Sequence, residues 1–191
     1  NNIAAETEST TVRTTLTQLL TVARYYVDPA RRAATISEVG DGLWALAQAA
    51  DAGSDTQFQF VKFFANIAST PAHVALLQGL LDGSIALDGL EIDTDLRWEL
   101  LEGLALNAAA DEAAIDAALE LDNTSNGQQA AARAKATLPS AEAKGAAFSS
   151  LADSATVRVH VIDDDANRAP VPDTLQGRVL TGQSIRMDFG G

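Results

Sequence analysis

The chain has 191 residues, with 13 basic against 26 acidic side chains and a formal net charge of −13. That balance repels phosphate backbones and anionic lipid head groups, so no nucleic-acid or membrane-surface partner is expected. At 47% apolar and 20% charged residues, the composition offers enough core-forming side chains for one domain, or one domain with an appendage, and excludes a disordered chain.

Cysteine is absent, which removes disulfides, thiolate metal ligands and thiol nucleophiles, and fits a cytoplasmic location. The opening Asn1-Asn2-Ile3 has no basic leader, no apolar leader segment and no initiator methionine. It reads as a boundary cut inside a longer chain. No stretch approaches the ~18 apolar residues of a membrane span.

From Val12 the apolar residues Leu16, Leu19, Leu20, Ala23 and Val27 recur at three- and four-residue spacing, as one face of a helix requires. This first helix is predicted to stop at Asp28-Pro29, where Asp28 caps the next helix and Pro29 suits its first turn. Ile36, Val39, Leu43, Leu46, Ala47 and Ala50 mark the second. Ser54-Asp55-Thr56-Gln57 has the form of a capping box. It introduces a helix so dense in apolar residues, Phe58 to Phe64 among them, that burial on more than one side is expected.

Thr70-Pro71 starts a fourth helix that ends at Gly83, and residues 84–92 read as a loop anchored by Leu87 and Leu90. Asp93 or Thr94 caps a fifth, carrying Leu96, Leu100, Leu101 and Leu104. Asp111 opens a sixth, with two alanine-rich helices at about 125–137 and 139–152. Short connections require consecutive helices to pack as antiparallel neighbours, so the predicted fold is all-α, a HEAT/ARM-like stack of helical hairpins. After Asp153 the period changes to two at Val157, Val159 and Val161, a strand signal. Asp163, Asp164, Asp165, Pro170 and Pro172 then interrupt order, and 175–189 could add one or two strands. The expected division is a helical solenoid at 1–153 and a short irregular or β-like tail at 154–191.

No catalytic or metal site is expected. Zinc hydrolysis needs two histidines one helical turn apart beside a glutamate, whereas His73 and His160 lie 87 positions apart. His73 is expected on a helix surface. No glycine-framed serine or phosphate-cradling glycine motif occurs. Asp93 and Asp95, or Asp163 to Asp165, lack the glycine and terminal glutamate of a calcium loop. Trp44 and Trp98 are read as core packers. Arg97 is read structurally as the partner of Asp93, Asp95 or a neighbouring helix, and functionally as a contact for a substrate carboxylate or for the rest of the parent protein. A small apolar ligand near residues 58–64 is a weaker alternative.

The run Asp93-Thr94-Asp95-Leu96-Arg97-Trp98-Glu99-Leu100-Leu101, preceded by Leu80-Leu81-Asp82-Gly83 and Leu90, resembles the C-terminal helical domain of actinobacterial-type aminopeptidase N. Glu6-Thr7-Glu8-Ser9-Thr10-Thr11-Val12-Arg13, Phe60-Val61 with Ala68-Ser69-Thr70-Pro71, Ile115-Asp116, Asp122-Asn123-Thr124 with Gly127, and Ala141-Glu142-Ala143-Lys144 follow in the family's order. The resemblance covers about residues 2–153. It implies a non-catalytic domain of a zinc-dependent exopeptidase, with HExxH and GxMEN in preceding domains. The implied role is to cap the active-site chamber and gate peptide access. The implied partners are the parent's catalytic domain and its peptide substrates, and the implied cofactor is zinc in the parent only. Arg97 and Trp98 are the candidate chamber or domain-interface residues. An independent helical-repeat interaction module is the alternative. Because family members continue as helices beyond Asp153, a shifted reading frame or truncated gene is expected to supply the tail. The incomplete solenoid should expose an apolar end, to be covered by the tail or by a second copy.

Overall fold

The computed structural model describes Ile3, Glu6, residues 8–154 and the segments Arg158–Ile162, Arg168–Pro170 and Ser184–Asp188. Residues 1–144 make one compact unit and 145–191 another.

Helix boundaries in the first unit follow their caps. Helix α1 (Ser9–Thr21) is capped by Glu8, whose carboxylate accepts from the Thr11 amide, and it runs directly into a π-helical turn, Val22–Tyr26. The first helical stretch therefore extends almost to Asp28, as the spacing predicts, but not as one regular α-helix. Asp28 and Pro29 then open α2 (Pro29–Ala49), with Asp28 accepting from the Ala30 amide at 2.8 Å. Ser54 caps α3 (Asp55–Ile67) through the Gln57 amide. The return half of the capping box differs, because the Gln57 carboxamide accepts from the Gly53 amide at 2.8 Å and donates to the Ala47 carbonyl. It thus ties the end of α2 to the start of α3.

Thr70 caps α4 (Pro71–Asp82), Asp93 caps α5 (Thr94–Leu106), Asp111 caps α6 (Glu112–Leu121) and Thr124 caps α7 (Ser125–Thr137). Each side-chain oxygen satisfies an amide that the first helical turn leaves unpaired. Helix α8 (Ala141–Ser154) starts behind Ser140, whose hydroxyl accepts from the Ala143 amide.

Packing resolves the helices into two layers. Helices α1, α3, α5 and α7 pack side by side in chain order, and α2, α4 and α6 each pack on the helix that follows them. The all-α helical repeat expected from the sequence is present, but close packing of consecutive helices holds for α2–α3, α4–α5 and α6–α7 and not for α3–α4 or α5–α6, because α3 and α5 turn to each other. Helix α3 is enclosed on several sides, with Phe60, Val61, Phe64, Ala65 and Ile67 all buried. Helix α5 joins two core clusters: Leu96, Leu100 and Leu104 face α1–α4, while Trp98, Leu101 and Ala105 meet Ile115, Ala130 and Ala134. Residues 84–92 contribute Leu87 and Leu90 to the first cluster. The loop's path depends on Gly89 at φ +69°, whose missing Cβ would lie 2.6 Å from the amide nitrogen of Gly53, itself at φ +69°. The backbone conformation and the close approach both call for glycine there.

In the second unit, strands β1 (Arg158–Ile162), β2 (Arg168–Pro170) and β3 (Ser184–Asp188) form an antiparallel sheet in the order β2-β1-β3. Val161 pairs with Ala169 on one side and Ile185 on the other. The strand expected from the period-two run is present. Pro170, expected to interrupt order, instead ends the edge strand β2, where a missing amide hydrogen is tolerated. Asp163, Asp164 and Asp165 lie outside the described residues.

Candidate functional site

Arg97 and Trp98 occupy adjacent positions on α5 and face different surroundings. Trp98 is buried in the second cluster, and its indole Nε1 donates to Asp122 Oδ2 at 2.8 Å. Thr124 donates its hydroxyl to the other oxygen of Asp122. These bonds, Trp98 first, hold the Asp122 carboxyl below the ordinary aspartate range.

Arg97 is exposed and borders a groove of about 760 Å³ between α4, α5 and the link into α6. Leu81, Leu101 and Leu104 supply its apolar wall, and Asp82 and Asp111 its carboxylates. Asp82 is engaged by Ser84, whose hydrogen bonds hold its carboxyl below the usual range, and Asp111 is engaged as the α6 cap. Arg97 has no carboxylate partner among the described residues, so the expected pairing with Asp93 or Asp95 does not form. Asp93 is instead occupied with the Leu96 amide. Beside this groove Ala108 adopts φ +56°, a left-handed conformation costing a non-glycine residue ~1–2 kcal/mol. Asn107 fixes that link by donating to the carbonyls of Ala68 and Gly103.

His73 corrects the sequence reading, since it is 1% exposed rather than on a helix surface. Its Nδ1 accepts from the Ser69 amide, which places the proton on Nε2, donating to Asp41 Oδ1 at 2.9 Å. Both ring nitrogens are therefore occupied, and among the described residues no group of three or more metal-ligating side chains converges. This donor set does not fit a zinc ion. Phe60 and Phe64 are also filled in rather than open: both are buried, and Phe64 packs between Trp44 and His73, at ring separations of 5.4 and 5.2 Å. The rings of Phe60 and Phe64 therefore line no ligand cavity among the described residues, while Phe63 borders a groove shared with α1. Trp44 is half-buried against the core, as its place in a periodic segment suggests.

A charged cluster bridges α3, α5 and α7. Lys62 pairs with Glu99 at 2.8 Å, and Arg133 approaches Glu102 at 3.7 Å. Burial, reinforced by the neighbouring Glu99 charge, pushes the Glu102 carboxyl up despite Arg133.

Beside this all-helical repeat stands a family comparison that matches residues 1–163 to the ERAP1-like C-terminal domain. The chain belongs to the ERAP1-like C-terminal domain family. It is 34% identical over 154 residues to aminopeptidase N of Streptomyces lividans, a match covering 81% of this chain and 18% of that protein. The chain therefore spans under a fifth of that relative's length, and this ERAP1-like domain corresponds to the C-terminal part of an aminopeptidase-like protein. No helix among the described residues is long and apolar enough to cross a membrane.

Sequence reasoning did not single out one prominent surface. Leu19, expected on the buried face of the first helix, is 39% exposed, and Val22, Tyr25 and Tyr26 of the following turn are more exposed still. The periodic pattern marks an apolar stripe but cannot tell whether a neighbour covers it.

Proposed function

We infer that this chain is the non-catalytic C-terminal domain of a zinc aminopeptidase, where it caps the active-site chamber and gates the entry of peptides. The carrying observation is 34% identity to an aminopeptidase N across 81% of the chain. On this reading the metal and the catalytic residues belong to the rest of the parent polypeptide, whose catalytic domain and peptide substrates are the partners, and the location is cytoplasmic. The aminopeptidase-derived part is residues 1–153, followed by a tail at 154–191. The compact first unit ends at 144, and the family match runs on to 163, past the start of that tail.

Arg97 is the proposed chamber contact. Its guanidinium stands uncompensated beside an apolar groove wall, a combination suited to the backbone and carboxylate of a peptide's distal end. Trp98 serves from behind by fixing that turn of α5 to Asp122.

The test uses the isolated chain and the parent polypeptide. With an aminoacyl chromogenic substrate and zinc, the isolated chain is expected to give no turnover. Chelator-sensitive hydrolysis by the pure chain would overturn the assignment. In the parent, removing this domain is expected to change the dependence of kcat/KM on peptide length. Equal effects on short amides and long peptides would refute gating.

A further inference from the structure

The row α1, α3, α5, α7 has a first member that packs on α3 with no α-helix before it among the described residues, where Ile3 packs against the same core. A terminal helix of a stacked repeat keeps a polar outer face if it meets water. Helix α1 does so through Thr11, Arg13, Thr14, Thr15 and Gln18, but its C-terminal end and the π-helical turn do not: Leu19, Val22, Tyr25 and Tyr26 are 39%, 51%, 73% and 79% exposed. Of the six large apolar or aromatic side chains most exposed among the described residues, these four lie within one eight-residue stretch, with Leu106 and Leu121 elsewhere.

The same stretch is locally basic. Between Ser9 and Ile36 the charged residues are Arg13, Arg24, Arg31 and Arg32 against Asp28 alone, in a chain of net charge −13. None of these arginines has a carboxylate partner among the described residues. The surface is also held in place. Arg24 donates to the carbonyl and side-chain oxygens of Asn66 on α3, and Arg32 donates to the Val27 carbonyl. A groove of about 240 Å³ runs between Thr17, Thr21 and Tyr25, one stripe of the helix, and Phe63 of α3.

We propose that the Leu19–Val22–Tyr25–Tyr26 face is the surface on which this domain docks against an acidic face of the preceding part of its parent polypeptide. This rests on the aminopeptidase reading, which leaves more than four-fifths of the relative's length outside this chain, since the match spans 18% of it. Tyrosines flanked by arginine suit that role, because they bury a large apolar body while the hydroxyl keeps a hydrogen bond, and both residue types are enriched at interface hot spots. Arg13 and Arg31, exposed and without a carboxylate partner among the described residues, suit carboxylates opposite. A second copy of the chain is the poorer occupant, because a two-fold contact through this face sets arginines against arginines.

The experiment places a photo-crosslinking benzoylphenylalanine at Tyr25 in the parent polypeptide. Hydrogen exchange over residues 17–26 is compared between the parent and the isolated chain. The expected result is an intramolecular crosslink to an Asp- or Glu-bearing segment preceding this domain, with amide exchange slowed at least tenfold in the parent. A crosslink between two copies, or equal exchange in both forms with no crosslink, overturns the proposal. A Tyr25→Ser/Tyr26→Ser parent is expected to lose the protection while the isolated double variant keeps its Tm, since both side chains are exposed. Retained protection would also overturn it. Peptide hydrolysis by the same parent is scored separately. Absent aminopeptidase activity with an intact crosslink defeats the aminopeptidase reading alone, and the reverse outcome defeats the docking face alone.

Discussion

Gly40 on α2 and His73 on α4 fit as a recess and the ring that fills it: a Cβ on Gly40 would lie 2.4 Å from His73 Cε1. An alanine inside a helix ordinarily gains ~1 kcal/mol over glycine. Here Gly40→Ala is expected to destabilise by ~1–3 kcal/mol instead, because the imidazole is wedged between Phe64, the Ser69 amide and Asp41 and cannot retreat. His73→Ala also costs stability, by leaving a cavity and an unpaired amide. The double variant is expected to lose less than the sum, as denaturant unfolding of all four proteins would show. Additive losses would separate the two residues.

The side-by-side packing of α3 and α5 rests on Gly103, where a Cβ would stand 2.5 Å from the Ala65 carbonyl oxygen. Backbone cannot turn aside as a side chain can, so Gly103→Ala is expected to cost ~2–3 kcal/mol. Gly42, exposed on α2 with nothing within 4 Å of an added Cβ, supplies the control. Gly42→Ala should gain ~0.5–1 kcal/mol from the helix propensity alone. Thermal unfolding should therefore move the two variants in opposite directions.

Trp98→Phe keeps most of the ring in the second core cluster but removes the bond to Asp122. The Asp122 carboxyl lies below its ordinary range chiefly through that bond. A lowered native value means that the stabilisation is present above the unfolded aspartate pKa and disappears as pH falls through the native one. The variant should have a Tm a few degrees lower at pH 7, and the acid-sensitive part of the gap should vanish in strong acid. A gap independent of pH would assign the whole loss to packing.

Glu102 has the opposite sign. Burial and the adjacent Glu99 raise its native value, so the folded chain holds this proton to higher pH than the unfolded chain. Stability falls as pH rises from the ordinary glutamate range through the raised native value, and the loss persists at neutral pH. Glu102→Gln is expected to gain up to ~0.5 kcal/mol at pH 7, small because the group is partly solvated. The gain should disappear in acid. Destabilisation at neutral pH would show that the approach to Arg133 outweighs burial.

The helical order was legible because each helix begins at a side chain that can cap it. Asp28, Ser54, Thr70, Asp93 and Asp111 each bond an amide in the following turn. What failed was anything decided by a partner far along the chain. His73 has a surface-compatible sequence context, and its burial depends on the recess at Gly40. Leu19 shares the period of buried Leu16 and Leu20, yet α1 is a terminal member of its row. Arg97 has acidic residues nearby in sequence, but Asp93 is committed to capping, so proximity along the chain did not become an ion pair.

That uncommitted charge gives the last prediction. In the parent polypeptide, Arg97→Ala removes the one cation among the described residues lining the groove without touching either core cluster, since the side chain is exposed and pairs with no described carboxylate. If the groove receives the distal end of a peptide, KM should rise about 10- to 150-fold for peptides long enough to reach it, equivalent to ~1.5–3 kcal/mol for a charge-assisted hydrogen bond. A short aminoacyl amide, which does not extend that far, should keep its kcat and KM. Arg97→Lys should recover only part of the loss, because an ammonium keeps the charge but not the paired donors of a guanidinium. Steady-state kinetics over a series of peptide lengths decides the matter. A uniform change at every length would mean that Arg97 acts on the folding or docking of the domain and not on the peptide.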